Sequence, residues 1–213
     1  MTDPEKGLFI TFEGSEGTGK TTQIQRLAMR LEKNGRQVVV TREPGGTPLG
    51  EKIRHLLMHS KSGANMVPRT ELLLFEASRA QHVDELIKPQ LARGAVVISD
   101  RFHDSTTVYQ GVGRSINGKS VETINEFAIN SHVPDLTILI DLDPEEGFQR
   151  IQDRNTDPPD RMEQENMNFY QAVRQGFLDL AEKEKYRFLI IDGNQSVDEV
   201  EEVIWNEIKE RIK

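Results

Sequence analysis

The sequence contains no cysteine, and this absence excludes several kinds of site at once. Without thiols there is no disulfide framework, no cysteine-ligated zinc site and no thiol nucleophile. Long apolar runs are also missing, since no stretch approaches the roughly 18 to 20 residues that a membrane-spanning helix needs. The first residues lack the basic start and apolar segment of a secretory signal. We therefore expect a soluble, cytoplasmic protein that does not enter a membrane.

Basic residues are outnumbered by acidic ones. The 213 residues include 27 Lys and Arg against 35 Asp and Glu, which gives a formal net charge of −8. Proteins that coat nucleic acid usually carry a basic face, so we expect no nucleic-acid partner. A small anionic substrate in a locally basic pocket remains compatible with this charge. No linker, low-complexity tract or repeat divides the chain, and the sequence predicts a single domain over residues 1–213.

Short apolar runs rich in β-branched residues alternate with longer segments of helical periodicity. The runs lie at 8–12, 38–41, 95–99, 136–142 and 188–191, and helical periodicity marks 23–31, 69–91 and 197–208 among others. This alternation is typical of an α/β fold with a parallel sheet. Because the runs are apolar throughout, they predict strands covered by helices on both faces. Ligands of such sheets bind beyond the carboxyl ends of the strands.

A phosphate-binding motif follows the first run. Residues 14–21 read GSEGTGKT and match the P-loop pattern G-x-x-x-x-G-K-[ST] between a predicted strand and a predicted helix. The glycines let backbone amides surround a phosphate, Lys20 would reach the β- and γ-phosphates, and Thr21 would bind Mg²⁺. The predicted ATP-binding residues of this segment are Gly14, Ser15, Glu16, Gly17, Thr18, Gly19, Lys20, Thr21 and Thr22.

The third run ends in Asp100, which would place a carboxylate near the magnesium ion as a Walker B acid does. An aspartate that only caps the next helix is the alternative. A switch GTPase is disfavoured, because the sequence shows no Asp-x-x-Gly at this point and no Asn-Lys-x-Asp later.

Arginines stand at strand ends and around one loop. Arg42 follows the second run and Arg101 the third, while Arg150, Arg154 and Arg161 flank a loop with two prolines. Such a loop could close over a triphosphate and neutralise charge that develops during phosphoryl transfer. A solvated loop whose arginines pair with neighbouring aspartates is the alternative.

Phe75, Arg79 and His82 share one face of a predicted helix because their spacing is i, i+4, i+7. A ring beside a guanidinium suits a flat heterocycle, which the ring can stack on and the guanidinium can hydrogen-bond. For Phe75 alone, a place in the apolar core is equally compatible with the pattern.

The segment 104–111 shows the same kind of spacing. Ser105 and Tyr109, and Thr106 and Gln110, are i, i+4 pairs if the segment is helical. Their hydroxyl and amide groups suit a base edge and a sugar. By itself, such a segment is more often a polar helix face.

Taken together, these residues resemble the bacterial thymidylate kinases, a family of P-loop nucleoside monophosphate kinases. The resemblance covers nearly the whole chain, at 12–14, the phosphate-binding motif, 41–47, 74–75 with 77–82, 100–101, 105–111, 134–137 and 160–163. It implies a P-loop NTPase-type three-layer fold: a five-stranded parallel sheet covered by helices on both faces, with a short lid at about 150–162. It also implies ATP-dependent phosphorylation of dTMP to dTDP in dTTP synthesis, with Mg²⁺, by a homodimer.

The resemblance assigns roles to individual residues. Arg42 would hold the phosphate of dTMP, Arg101 would bridge toward it, and Arg150 would pack on adenine. The implied substrate-binding set is Glu16, Arg42, Pro44, Phe75, Arg79, Arg101, Ser105, Thr106, Tyr109 and Gln110. Within it, Glu16 would meet the 3′-hydroxyl, Phe75 would stack on thymine, Arg79 would bind O4, Thr106 and Gln110 would approach the remaining base edge, and Tyr109 would crowd a 2′-hydroxyl. The implied catalytic set is Lys20, Arg42, Arg101, Arg154 and Arg161, and the implied metal ligands are Thr21 and Asp100.

Two positions depart from the family pattern. Gly17 stands where eukaryotic members carry an arginine, which shifts that role to Arg154, and Phe102 stands where tyrosine is common.

No catalytic base is needed, because a phosphate monoester with a second pKa of about 6 is already largely anionic at neutral pH. Two alternatives stay open: a same-fold kinase acting on another deoxynucleotide or a deoxynucleoside, and a nucleotide-binding module without turnover.

Overall fold

A computed structural model of the chain describes residues 7–153 and 160–212. Its strands are β1 (Leu8–Glu13), β2 (Val38–Arg42), β3 (Val96–Asp100), β4 (Leu136–Asp141) and β5 (Phe188–Asp192). They form one sheet in the order β2-β3-β1-β4-β5, in which every neighbouring pair is parallel. This arrangement confirms the predicted α/β fold with a five-stranded parallel sheet.

Helices connect the strands. They are α1 (Lys20–Lys33), α2 (Pro48–Met58), α3 (Pro68–His82), α4 (Lys88–Leu91), α5 (His103–Thr106), α6 (Gly118–Ile129), α7 (Pro144–Gln152), α8 (Met167–Lys183) and α9 (Val197–Arg211), with a short 3₁₀ turn at Lys61–Gly63. Thr47, Asn166 and Ser196 cap α2, α8 and α9 by accepting hydrogen bonds from backbone amides of the first turn. In the described residues, no helix combines the length and apolar character that crossing a bilayer requires.

Alternate side chains of the central strands supply two apolar layers. Leu8, Ile10 and Phe12 of β1 pack on one face against α1 and α9. Phe9 points to the opposite face, where it packs with side chains of α6 and of the turn after α3. Leu139 of β4 also lies on that side, in a cluster built largely by α8. The sheet is therefore the middle of three layers.

The edge strands differ from the prediction that every strand is covered on both faces. Val40 of β2 is 50% exposed and Ile190 of β5 is 49% exposed, whereas β1, β3 and β4 are buried along nearly their whole length. Each edge strand has a neighbour on one side only, and the helices pack over the centre of the sheet. An apolar run alone does not distinguish an edge position from a central one.

Two wide π turns interrupt the helices. The helix predicted over 69–91 consists of α3 and α4 joined by a π turn at Val83–Ile87. Pro89 has no amide hydrogen, so the α-helical hydrogen bond to the carbonyl oxygen of Glu85 cannot form. The wide turn lies where this series of backbone hydrogen bonds is interrupted. A second π turn, Thr107–Gly113, follows α5 and carries residues of the predicted base pocket.

Burial predicts very different costs for the same substitution in neighbouring strands. Ile138 of β4 is fully buried, so Ile138→Ala should lower the free energy of unfolding by about 3 kcal/mol. Ile190→Ala in the adjacent strand is the matched control and should cost less than about 1 kcal/mol, because half of that side chain is already in water. Urea unfolding measures both, and equal losses would contradict this description of the sheet.

Candidate active site

A cleft of about 370 Å³ opens at the carboxyl ends of β1, β2 and β3. Its size is within the range of small-molecule sites, and its position is the one expected for a ligand of a parallel sheet. The predicted residues that line it are Glu16, Gly17, Thr18, Gly19, Lys20, Thr21, Thr22, Arg42, Pro44, Phe75, Asp100, Arg101, Ser105, Thr106, Tyr109 and Gln110. Parts of the predicted phosphate, metal, acceptor and base sites therefore share one cavity.

Other predicted residues lie away from the lining. Gly14 and Ser15 are at the start of the phosphate loop, Arg79 is buried, and Arg150 is on α7. Arg161 donates a hydrogen bond to the carbonyl oxygen of Leu57, near the C-terminal end of α2. Arg154 lies outside the described residues, and so does most of the loop on which the lid prediction rests.

The phosphate loop holds its lysine by backbone carbonyls. Lys20 Nζ donates to the carbonyl oxygen of Ser15 at 2.7 Å and to that of Gly14 at 3.1 Å. Burial, together with the nearby charge of Arg101, lowers the pKa of Lys20 to about 8. An anionic phosphate in the loop would favour the charged form of this lysine and would offer it stronger acceptors.

The loop also packs tightly on the first turns of α7. Gly17 has a φ of 74°, and a Cβ atom at this position would collide with the backbone of Gly147. A Cβ atom at Gly147 would in turn collide with the carbonyl oxygen of Glu16. A side chain at position 17, including an arginine, therefore does not fit in this structure without movement of α7.

Arg42, the last residue of β2, and Arg54 of α2 both line the cleft. Arg42 lies 3.0 Å from Glu51 and is partly exposed, and Arg54 donates to the carbonyl oxygen of Pro44 at 3.0 Å. Burial and the charge of Arg42 lower the pKa of Arg54. Arg54 was not among the predicted residues, because an arginine inside a helix is most often a surface residue. The signal was the Thr47 cap, which fixes the start of α2 and hence the direction in which Arg54 points.

Glu43, the residue that follows β2, is a buried carboxylate held by two side chains of α3. Glu43 accepts from Arg79 Nε at 2.8 Å and lies 2.9 Å from His82 Nδ1, and all three side chains are buried. Burial alone would raise the pKa of Glu43, but the charge of Arg79 and the hydrogen bond with His82 outweigh it and lower the pKa. Phe75 lines the cleft, whereas Arg79 and His82, predicted on the same helix face, lie in this buried cluster.

Arg79 has a protein partner for each of its nitrogen atoms. Besides Glu43, it contacts Glu76, donates to Thr106 Oγ1 at 2.9 Å and donates to the carbonyl oxygen of Phe102 at 3.1 Å. Its side chain is 1% exposed. In this arrangement Arg79 does not line the cleft and reaches the lining through Thr106.

Glu16 joins the phosphate loop to the segment after β3. It accepts from Arg101 Nη2 at 2.8 Å and from Tyr109 Oη at 2.9 Å, and the guanidinium of Arg101 lies 5.0 Å from the centre of the Tyr109 ring. The backbone of Arg101 is left-handed, with a φ of 69°, which costs free energy for a residue with a side chain. Surrounding contacts must therefore hold this turn.

Glu13, at the end of β1, provides those contacts and was not among the predicted residues. Its carboxylate accepts from the amide of Phe102 at 2.8 Å and from Ser105 Oγ at 2.6 Å, and Ser105 Oγ accepts from Arg101 Nη1 at 3.1 Å. Burial and the charge of Asp104 raise the pKa of Glu13 to about 8. The sequence signal was a charged residue directly after the first predicted strand, 8–12.

Arg161 and Arg150 lie at the two ends of the predicted lid. Arg161 donates to the carbonyl oxygen of Leu57 at 2.7 Å and to Glu71 at 2.5 Å. Because this buried carboxylate holds it, Arg161 does not face the cleft, contrary to the prediction. Arg150 donates to the carbonyl oxygen of Gly193 at 3.1 Å, beside the loop after β5. Lining residues that were given no role from the sequence are Arg54, Met58, Ile151, Asp160, Met162 and Glu163.

A glycine-rich loop between the first strand of a parallel sheet and the following helix, with its lysine and threonine on a cleft, defines a P-loop nucleotide-binding protein. The same cleft is also lined by Arg42, Arg54 and Arg101. These arginines narrow the class to P-loop proteins that can bind a further anionic group beside a nucleotide.

Comparisons with known proteins identify the family. The family model described as thymidylate kinase matches residues 12–204. The chain is 49% identical to the thymidylate kinase of Geobacter sulfurreducens, over 96% of this chain and 100% of that relative. It is 47% identical to the thymidylate kinase of Deinococcus radiodurans, over 97% of this chain and 98% of that relative. The crystal structure of thymidylate kinase from Ehrlichia chaffeensis matches with a TM-score of 0.76 and 36% identity, over 95% of this chain and 98% of that one. The chain belongs to the thymidylate kinase family.

The raised pKa of Glu13 predicts a pH-dependent stability. Because this pKa rises from 4.5 to about 8 on folding, the folded protein keeps a proton that the unfolded chain loses, and the free energy of unfolding falls as pH rises between these values. The slope is at most about 1.4 kcal/mol per pH unit. Glu13→Gln cannot titrate, so its stability relative to wild type should increase from pH 5 to pH 8.

Urea unfolding at several pH values measures this difference. Glu126→Gln, at an exposed position, is the control. Parallel profiles of the wild type and Glu13→Gln would show that Glu13 does not retain the proton.

Proposed function

We propose that this protein transfers the γ-phosphoryl group of ATP to dTMP, forming ADP and dTDP in dTTP synthesis in the cytoplasm. One observation carries the proposal beyond family membership: the phosphate loop and the basic residues Arg42, Arg54 and Arg101 line the same cleft. A protein that only holds ATP has no need of a second group of cations there. The cleft therefore suits a donor triphosphate and an acceptor phosphate side by side.

Catalysis in this proposal consists of positioning and charge neutralisation. Lys20 binds the phosphates of ATP, and Arg42 and Arg101, with Arg54 as an addition from the structure, bind the phosphate of dTMP. The acceptor oxygen needs no deprotonation, since the second pKa of a phosphate monoester is about 6. The fixed cations then stabilise the charge on the oxygens of the transferred group without reorganising.

Mg²⁺ is the proposed metal, held by Thr21 and Asp100. Both residues line the cleft, and a hydroxyl and a carboxylate are oxygen ligands of the kind that Mg²⁺ prefers. Over residues 7–153 and 160–212 there is no cluster of three or more metal-ligating side chains. This donor set fits an ion that the protein shares with the phosphates of ATP, whose charge the ion would neutralise when bound.

The nucleoside of dTMP is proposed to lie between Phe75 and the segment after β3. Phe75 would stack on thymine, while Thr106 and Gln110 face its edge. Glu16 would bind the 3′-hydroxyl, and its hydrogen bond with Tyr109 holds that ring where it would crowd a 2′-hydroxyl. Ser105 and Pro44 complete the substrate-binding set on this side of the cleft.

The chain is proposed to be a single kinase domain, 1–213, with a lid at about 150–162. Arg154 would act over the transferred phosphoryl group, and Arg150, beside Gly193, would pack on adenine. For Arg161 to join the catalytic set, it would have to leave Glu71 when the lid closes.

A coupled assay of ADP release tests the function directly. With ATP and Mg²⁺, we expect strong turnover of dTMP and weak turnover of UMP, CMP, AMP and GMP, with dUMP tested alongside. Lys20→Ala should abolish turnover and serves as the control for contaminating kinases. If only another monophosphate or a deoxynucleoside is phosphorylated, that compound and not dTMP is the acceptor. ATP binding without any turnover would favour a non-catalytic module.

A homodimer is the proposed assembly. Val67 and Leu73 of the α3 region and Phe127 of α6 are 56%, 57% and 85% exposed, and α3 packs between α2 and α6. These helices leave large apolar side chains in water, which a second copy of the chain would cover.

Substitution of these side chains tests the assembly. Leu73→Asp and Phe127→Asp should each shift the sedimentation coefficient from that of a dimer to that of a monomer, because a buried unpaired charge opposes association. Tyr186→Asp, at a site 75% exposed next to β5, is the control and should leave the dimer intact. A monomeric wild type at micromolar concentration would refute the dimer.

A further inference from the structure

Glu71 of α3 is a buried carboxylate that no step of the proposed mechanism uses. It is 1% exposed, and its two oxygen atoms accept hydrogen bonds from three side chains. Oε1 accepts from Gln110 Nε2 at 2.8 Å and from Arg114 Nε at 3.1 Å. Oε2 accepts from Arg114 Nη2 at 3.2 Å and from Arg161 Nη1 at 2.5 Å. One side of this carboxylate therefore contacts the base pocket, and the other holds Arg161, near the end of the predicted lid.

The ionised state of Glu71 determines the orientation of the Gln110 side chain. Burial alone would raise the pKa of Glu71, but hydrogen bonds from Arg114 and Gln110 outweigh this effect and lower the pKa. An ionised carboxylate has no hydrogen to donate. Gln110 must therefore turn its NH₂ group toward Glu71, and its Oε1 atom must point away from Glu71.

The Oε1 atom of Gln110 is an acceptor with no donor from the described part of the chain. Gln110 lines the cleft together with Phe75 and Thr106, the residues placed beside the base. With Nε2 engaged by Glu71, the carbonyl oxygen is the polar atom that the amide can offer to a bound ligand.

We propose that Glu71 is a positioning residue for base recognition: it fixes the Gln110 carboxamide with its carbonyl oxygen toward the base and so selects bases that carry a hydrogen on N3. Thymine and uracil donate from N3, whereas N3 of neutral cytosine is an acceptor and would face another acceptor. This inference rests on the proposed function, in which a pyrimidine monophosphate occupies this end of the cleft.

The selectivity of Glu71→Gln tests the proposal. A glutamine at position 71 offers both a donor and an acceptor, so the Gln110 amide is no longer restricted to one orientation. We expect kcat/KM for dTMP to fall about tenfold, the effect of one lost hydrogen bond, while kcat/KM for dCMP stays the same or rises. The ratio of the two constants should thus fall by a factor of about ten or more. N3-methyl-dTMP, which lacks the N3 hydrogen, should be a poor substrate of the wild type and should be affected less by the substitution.

Arg114→Met is the matched control. It removes the ion pair between Arg114 and Glu71 but leaves the hydrogen bond from Gln110 in place. It should lower stability and leave the ratio of dTMP to dCMP turnover unchanged. If Glu71→Gln also leaves the ratio of the two kcat/KM values unchanged, Glu71 acts only in folding and the proposal is wrong.

A measurement on the unmodified protein keeps the test valid if Glu71→Gln does not fold. The Gln110 side-chain amide, assigned by its loss in Gln110→Met, should exchange with solvent at least about tenfold more slowly than that of Gln175. Gln175 also donates to a carboxylate, Asp179, but does so on an exposed surface. Equal exchange rates in the ligand-free protein would show that Glu71 does not hold the amide, whatever the acceptor of the kinase is.

Discussion

The cleft depends on the pairing of buried arginines with buried carboxylates. A site for two phosphate groups needs several cations close together, and an unpaired cation is costly to bury. Four pairs meet this requirement: Arg79 with Glu43, Arg101 with Glu16, and both Arg114 and Arg161 with Glu71. Each pair also joins distant parts of the chain, so the same contacts that neutralise charge determine the shape of the cavity.

This pairing separates the arginines that support the site from the cations that remain available to a ligand. Arg79 and Arg161 are held by buried carboxylates, whereas Arg42 is partly exposed and Lys20 is held mainly by carbonyl groups of its own loop. A phosphate that enters the cleft competes more easily with a backbone carbonyl than with a buried carboxylate. The arrangement thus keeps part of the positive charge fixed in place and part of it accessible.

Much of the fold, and the location of the site, follow from sequence alone. The five apolar runs and the phosphate motif are local patterns, and local patterns are what periodicity and spacing report. The partners of the arginines are not local: Glu71 and Arg161 are separated by 90 residues, and only tertiary structure brings them together. Glu13 was missed because its partners lie after β3, far along the chain, and Arg54 because an arginine inside a helix is most often a surface residue. The π turn at Thr107–Gly113 also escaped prediction, because the side chains that it directs into the cleft keep a nearly helical spacing.

The contact between Gly17 and Gly147 has a mechanical consequence. The backbones of the phosphate loop and of α7 touch with no side chain between them, so neither can move toward the other, and sliding is restricted by the carbonyl groups on both sides. The first turns of α7 therefore behave as a fixed support.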